Sequence, residues 1–141
     1  MKKYLLFITI LFPLFLYAQS DLCSIDQEVD SLMTISEKKT LKCLTSINYT
    51  SVIGKKELRY FDSLFLNCKF KKMNYLIPAK FYLAGVSYTF SDGLYIKVYV
   101  KKFKYLKNRI DQKPWSRRLL MKEKPGTIQI FYYEKLICEY K

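Results

Sequence analysis

Tyrosine and lysine residues alternate along one stretch of this sequence and supply its most distinctive chemical groups. Between Leu94 and Leu106, one set of alternate positions carries aromatic rings and ammonium groups: Tyr95, Lys97, Tyr99, Lys101 and Tyr105. Side chains alternate between the two faces of a β-strand, so these groups share one surface. Rings can stack on sugars or bases, and ammonium groups can neutralise carboxylates or phosphates. The pattern predicts a platform for an anionic ligand.

The same alternation is also typical of an ordinary solvent-exposed sheet face, because Tyr favours strands and Lys protects edges from aggregation. Only four of the 25 basic residues are Arg, the residue best suited to bidentate phosphate recognition. For a protein outside the cytosol, we expect an anionic glycan, a lipid headgroup or an acidic envelope protein as the partner, and nucleic acid less.

The sequence contains no histidine. Ser-His-Asp and Cys-His hydrolases, and zinc enzymes with imidazole ligands, all need that side chain as a base or a ligand. The four glycines form no phosphate-binding loop of either common pattern. We expect no cofactor, no metal site and a binding function without catalysis.

A hydrolase that uses carboxylates alone is the competing hypothesis, because glycoside hydrolysis can run on two acids about 5 to 10 Å apart. Five acids have hydrophobic neighbours in the sequence: Glu57, Asp62, Asp92, Glu134 and Glu139. A hairpin turn explains Asp92, and Asp62 is expected to face water. A purely structural or assembly role is a third hypothesis.

Four cysteines (Cys23, Cys43, Cys68 and Cys138) permit two disulfides in an oxidising compartment. A straight helix between Cys23 and Cys43 would hold them nearly 30 Å apart, at about 1.5 Å per residue. A disulfide needs Cα atoms within about 7 Å. Two pairings are left: Cys23 with Cys68 and Cys43 with Cys138, or Cys23 with Cys138 and Cys43 with Cys68. Alternatively, Cys43 and Cys68 are free and fill core sites.

The first twenty residues have the three-part layout of a secretory signal peptide. Lys2 and Lys3 precede an apolar run from Tyr4 to Tyr17, and small or polar residues follow. A run of about 14 residues is shorter than the roughly 20 that span a bilayer, so a permanent anchor is not expected. Cleavage after Ala18 or Ser20 would release the protein into the bacterial periplasm, onto the cell surface or outside the cell.

Residues 21–141 have the length of a single domain. The chain carries a net charge of +13, and the charge is uneven. From Lys55 to Lys141, 20 basic residues face seven acids, so long-range attraction to anions is expected there.

Hydrophobic residues at three- and four-residue steps predict one helix from Ile25 to about Ile47, capped by Ser24 with Gln27. A second, shorter helix is predicted from Lys55 to Asn67. Pro78 should end any regular element there, and a short helix is predicted within 107–124.

The period then changes to two. Phe81–Phe90 and Leu94–Leu106 are joined by Ser91-Asp92-Gly93, which indicates a hairpin. A last hairpin is predicted from Thr127–Tyr133 and Leu136–Tyr140, with one long strand as the alternative. The sequence therefore predicts an α+β fold, with one or two N-terminal helices packed on an antiparallel sheet of about four strands.

Overall fold

A computed structural model describes residues 22–76, 82–105 and 120–141 of the chain. The predicted signal peptide, the Pro78 boundary and most of the helix predicted within 107–124 lie outside these residues.

The described residues form an α+β fold with three helices and one antiparallel sheet. The helices are α1 (Gln27–Leu32), α2 (Ile35–Thr45) and α3 (Tyr60–Asn67), and a short 3₁₀ turn spans Tyr49–Ser51. The strands are β1 (Leu22–Cys23), β2 (Lys72–Leu76), β3 (Tyr82–Thr89), β4 (Leu94–Tyr105), β5 (Pro125–Tyr132) and β6 (Lys135–Tyr140).

Strands β2 to β6 form a simple meander in which sequential strands are neighbours. The two-residue strand β1 adds to the far edge beside β6, which gives the order β1-β6-β5-β4-β3-β2. About four strands were expected, and the described part of the chain contains five of ordinary length plus β1. The additional strand β2 was not predicted, because its half-buried and exposed residues give no clear alternation.

All three helices contribute to one hydrophobic core on a single face of the sheet. Phe65 of α3 packs edge-on against two inward rings of the β3 region, with centroids 4.7 Å from Tyr88 and 5.9 Å from Phe90. Leu44 of α2 is fully buried, and the Tyr49 hydroxyl donates to its carbonyl at 2.7 Å. The opposite sheet face is not part of this core.

The predicted N-terminal helix is in fact two helices. Met33 and Thr34 have extended backbones between them, and Met33 is buried. The break occurs because Thr34 starts a new helix. Its hydroxyl accepts the backbone N–H of Glu37 at 3.1 Å and donates to the Glu37 carboxylate at 3.2 Å. Thr34 and Glu37 have the spacing of a capping box.

Asp26, rather than Ser24, caps the first helix. Its Oδ1 accepts the backbone N–H of Val29 at 2.9 Å. Asp26 also pairs with Lys135 at the start of β6, which lowers the pKa of the Asp26 carboxyl. The helix start is therefore connected to the sheet by its own capping residue.

The last hairpin exists as predicted, with Tyr132 paired to Lys135. We expected its turn at Glu134-Lys135, and it lies one residue earlier, at Tyr133-Glu134. Tyr133 adopts φ 53°, a conformation more usual for Gly or Asn. That is why the residues gave a weak turn signal.

Two disulfides join the fold, in one of the two pairings that the sequence left open. Cys23 pairs with Cys138 across β1 and β6, and Cys43 of α2 pairs with Cys68 at the end of α3. The exclusion of a bond between Cys23 and Cys43 agrees with this pairing, although the single long helix that motivated it is broken.

Candidate ligand-binding face of the sheet

Strand β4 separates apolar and polar side chains in the predicted way. Leu94, Ile96, Val98 and Val100 are buried in the core. Tyr95, Lys97 and Tyr99 are half-buried on the opposite face, which we call the outer face. The predicted platform residues Tyr95, Lys97 and Tyr99 therefore share one surface.

Two aromatic rings stack on this outer face. Tyr95 lies opposite Phe131 of β5, with ring centroids 5.1 Å apart and planes only 7° from parallel. The Lys97 ammonium lies 5.1 Å from the Phe131 centroid and 5.8 Å from that of Tyr95. Both distances are within the range of cation–π attraction, so the rings hold the positive charge beside them.

A polar row crosses three strands next to this stack. Lys97 lies opposite Gln129, and Gln129 lies opposite Glu139 of β6. Gln129 Nε2 donates to Glu139 Oε2 at 2.8 Å, and Lys141 Nζ lies 3.0 Å from Glu139 Oε1. These two donors lower the pKa of the Glu139 carboxyl, because they stabilise its ionised form. The row therefore offers ammonium, amide and carboxylate groups side by side.

We call these six residues the outer-face cluster: Tyr95, Lys97, Tyr99, Gln129, Phe131 and Glu139. Burial raises the pKa of both tyrosines; the neighbouring Glu134 adds to the rise for Tyr95, and Tyr95 and Glu139 add to it for Tyr99. Both phenols are therefore neutral at physiological pH, when each hydroxyl can donate and accept hydrogen bonds.

Gly85 of β3 lies opposite Tyr99 and fixes the local backbone. It has φ 153°, and a Cβ there would lie 2.0 Å from the carbonyl oxygen of Val98. Only glycine fits so close to the neighbouring strand. The pairing of β3 with β4 shifts register between Leu83 and Gly85, so Tyr99 lies at the border of the regular part of the sheet.

The other two predicted platform residues are placed differently. The Lys101 Nζ lies beside Gly54, 3.4 Å from the position that a Cβ on that glycine would take. Its backbone N–H donates to the carbonyl of Lys124 at 2.8 Å. Tyr105 pairs with Tyr82 at the far end of β4, and its side chain lies outside the described part of the structure.

The candidate acids are spread over several elements. Asp92 and Glu134 occupy turns. Glu57 pairs with Arg59 at 3.1 Å, and Glu139 belongs to the outer-face cluster. Asp62 was expected to face water, but it is half-buried and accepts the Tyr88 hydroxyl proton at 2.6 Å. The Tyr88 hydroxyl, whose ring is buried in the core, thus forms a hydrogen bond with Asp62 at the edge of the core.

A cleft of about 220 Å³ adjoins the outer-face cluster at the β1–β6 edge. Glu139 belongs to its lining, as do both cysteines of the terminal disulfide and Leu136. A ligand on the outer face could therefore reach into this recess beside Glu139.

Phe131, Gln129 and Glu139 are the members of the cluster that the sequence did not connect with Tyr95 and Lys97. The sequence contained part of the information, because apolar and polar side chains also alternate along Thr127–Tyr133, which places Gln129 and Phe131 on one face of a strand. What was missing is the register between strands, which decides which residues become neighbours.

Comparisons with known proteins found no family model, curated protein or solved structure that matches the chain. Within the described ranges, no three Cys, Asp or Glu residues are grouped so that they could hold a metal ion. A search of the same residues finds no helix with the length and hydrophobicity needed to cross a membrane. The two disulfides fit an oxidising environment.

Proposed function

We propose that this protein is exported and recognises an anionic envelope glycan, without catalysis, through the outer-face cluster. The observation that carries this proposal is the near-parallel stack of Tyr95 and Phe131, with the Lys97 ammonium beside both rings. Apolar ring faces complement the C–H faces of sugars, and the ammonium complements a carboxylate, sulfate or phosphate substituent.

The polar row favours a glycan over a simple anion. Gln129 and Glu139 supply an amide and a carboxylate, which can bind sugar hydroxyls as donor and acceptor. A ligand that carried only negative charge would gain nothing from Glu139 and would be repelled by it. A charged sugar polymer uses all three kinds of group in the row.

The signal-like leader and the disulfides support export, since disulfides persist in secreted and periplasmic proteins. An extracytosolic protein with a basic surface meets anionic glycans in the cell envelope. We therefore place the protein in the bacterial periplasm, on the cell surface or outside the cell.

The test is isothermal titration calorimetry of the oxidised protein, residues 21–141, with polygalacturonate and dextran sulfate as anionic probes and dextran as the neutral one. We expect binding to an anionic probe and none to dextran. Tyr95→Ala should weaken binding by roughly 5- to 150-fold, because one stacked ring contributes about 1–3 kcal/mol.

Lys97→Ala and Lys101→Ala form a matched pair of controls. Each removes one positive charge from β4, but only Lys97 contacts the rings of the cluster. We expect Lys97→Ala to weaken binding and Lys101→Ala to change it by less than about twofold, the size of a screened surface effect. Equal effects of the two changes, or wild-type affinity in Tyr95→Ala, would contradict the proposal.

A further inference from the structure

Helix α3 and its two flanks form a second charged surface on the side of the molecule away from the outer-face cluster. Phe61 and Phe65 bury one side of this helix in the core. The exposed side and its flanks carry five basic residues: Lys55, Lys56, Arg59, Lys69 and Lys71. We call this set, together with Tyr60 and Leu66, the α3 surface.

The two acids of segment 55–71 are already paired with neighbouring groups. Glu57 Oε2 lies 3.1 Å from the Arg59 guanidinium. Asp62 is half-buried and accepts the Tyr88 hydroxyl. With five bases and two acids, the segment has a net charge of +3, so the α3 surface attracts anions.

Two large apolar side chains are exposed between these basic flanks. Leu66 is 65% exposed and Tyr60 is 40% exposed. On a helix they lie about 120° apart, with Ser63 midway between them, so both border the same solvent-facing side. A soluble polyanion would need only the charges, whereas a lipid surface would use the leucine and the tyrosine as well.

A cleft of about 480 Å³ opens at the start of α3. Lys56, Arg59 and Ser63 contribute to its lining, and the Lys56 ammonium lies 5.5 Å from the centroid of the Tyr60 ring. Glu57 and Asp62 also line the cleft, but Glu57 is paired with Arg59 and Asp62 accepts the Tyr88 hydroxyl. A lipid phosphate in this cleft would meet two cationic side chains, while its acyl chains would lie towards Leu66.

The structure holds this surface firmly in place. The disulfide from Cys68 to Cys43 joins the end of α3 to α2. Before the helix starts, the N–H groups of Leu58 and Arg59 donate to the carbonyls of Glu123 and Met121 at 2.9 and 3.0 Å. The basic and apolar side chains therefore need little backbone reorganisation to contact a flat partner.

We propose that the α3 surface docks the protein peripherally on anionic phospholipid bilayers. The lysines and the arginine contact headgroup phosphates, and Leu66 and Tyr60 enter the interface between headgroups and acyl chains. This docking is independent of glycan recognition, because the outer-face cluster lies on the opposite face of the sheet.

The test is co-sedimentation of the oxidised protein, residues 21–141, with vesicles of phosphatidylcholine alone or with one quarter phosphatidylglycerol. We expect binding only to the phosphatidylglycerol vesicles. Each basic residue near an anionic surface strengthens partitioning by about fivefold, so the double change Lys56→Gln and Lys71→Gln should weaken it about 25-fold.

Lys38→Gln with Lys39→Gln is the matched control, because both lysines are exposed on α2 and the loss of charge is the same. We expect this control to weaken partitioning by less than about threefold, because lysines far from the bilayer contribute only through screened long-range attraction. Equal losses in the two double variants would overturn the proposal, since net charge alone would then explain the binding.

A second pair of variants tests the apolar contact. Leu66→Ser should weaken vesicle binding roughly tenfold, because a leucine would no longer enter the interface. Ile35→Ser removes a side chain that is 78% exposed at the start of α2, and it should leave binding unchanged. Near-ultraviolet circular dichroism checks that each variant is folded.

Three other results would overturn the proposal: unchanged vesicle binding in Leu66→Ser, equal binding to both vesicle types, and binding to single-stranded DNA without binding to vesicles. Lys97→Ala separates this proposal from the proposed function. It should leave vesicle binding intact even where it abolishes glycan binding.

Discussion

Glu139 carries the negative charge of the outer-face cluster, and its ionisation depends on two neighbouring side chains. Gln129 and Lys141 both donate to its carboxylate, which holds the pKa of Glu139 below its ordinary value. The carboxylate is therefore charged throughout the neutral and mildly acidic range, and it can accept bonds from a ligand there.

The low pKa of Glu139 predicts a pH-dependent contribution to stability. Its folded-state pKa lies below the unfolded one, so the contribution is fully present above the unfolded pKa and disappears as pH falls through the folded pKa. Urea unfolding at several pH values should show a decline in the free energy of unfolding below about pH 4.5, and Glu139→Gln should reduce this decline.

NMR titration of the Glu139 side chain gives the direct measurement. Gln129→Leu removes one donor and should raise the Glu139 pKa towards its ordinary value. Thr127→Val, on the same strand but outside the polar row, serves as the comparison. A Glu139 pKa that stays constant in Gln129→Leu would show that the amide does not stabilise the charge.

The sequence predicted part of the cluster at this scale. Tyr95, Lys97 and Tyr99 share a face because a strand has a period of two, which local sequence reveals. Phe131 and Glu139 lie more than thirty residues away, and only strand register brings them close. Lys101 also belongs to the alternating set, yet its Nζ lies beside Gly54, because a turn from another part of the chain meets the end of β4.

At the scale of elements, the predicted long helix is divided into α1 and α2, and hydrophobic periodicity alone does not detect this break. Val29, Met33, Leu41 and Leu44 all reach the same core, so the hydrophobic pattern continues across the break. The signal that does record the break is the capping sequence at Thr34 and Glu37. This capping sequence indicates a new helix start at Thr34, although the hydrophobic periodicity alone predicts one continuous helix.

Thr34→Ala tests whether this cap determines the start of α2. We expect the free energy of unfolding to fall by about 1 kcal/mol, the usual effect of losing an N-cap side chain. Ser36→Ala changes a hydroxyl two residues later, inside the helix, and should alter stability by less than about 0.5 kcal/mol. Equal effects in urea unfolding would mean that Thr34 does not act as a cap.

Strand β2 was not predicted for a different reason. It lies at the edge of the sheet, and it pairs with β3 alone. An edge strand needs fewer buried side chains than a central one, so its sequence can lack alternation. The central strands β4 and β5 are covered by helices, and their inward residues gave the clear pattern that local analysis detected.

At the scale of the whole molecule, the disulfides connect parts of the chain that are far apart in sequence. Cys23 and Cys138 are separated by 115 residues, and Cys43 and Cys68 by 25. A longer closed loop restricts the unfolded chain more strongly. The terminal disulfide should therefore stabilise the fold more than the one between α2 and α3.

Replacement of each cysteine pair by alanine tests this order. We expect losses of about 5 kcal/mol for Cys23 with Cys138 and about 3.5 kcal/mol for Cys43 with Cys68, from loop-closure entropy. Urea unfolding of the oxidised and reduced proteins provides the measurement. A reducing agent should have no further effect when both pairs are replaced, and the reverse order of losses would contradict the entropic argument.

The two proposed binding surfaces, the outer-face cluster and the α3 surface, lie on opposite sides of the molecule. The helices cover one sheet face and present α3 to solvent, while the outer-face cluster occupies the other face. A protein docked on lipid through α3 would direct the cluster away from the bilayer, where envelope polymers are accessible.

The pairing of the cysteines also has a consequence for biogenesis. Ribosomes make Cys23 first and Cys138 last, and the bond between them encloses the bond between Cys43 and Cys68. If thiols joined in order of appearance, Cys23 would be captured by Cys43, and the nested arrangement would be missed. The nested pairing forms directly only where Cys23 stays reduced until Cys138 has been made, and any early bond between Cys23 and Cys43 has to be replaced by thiol–disulfide exchange.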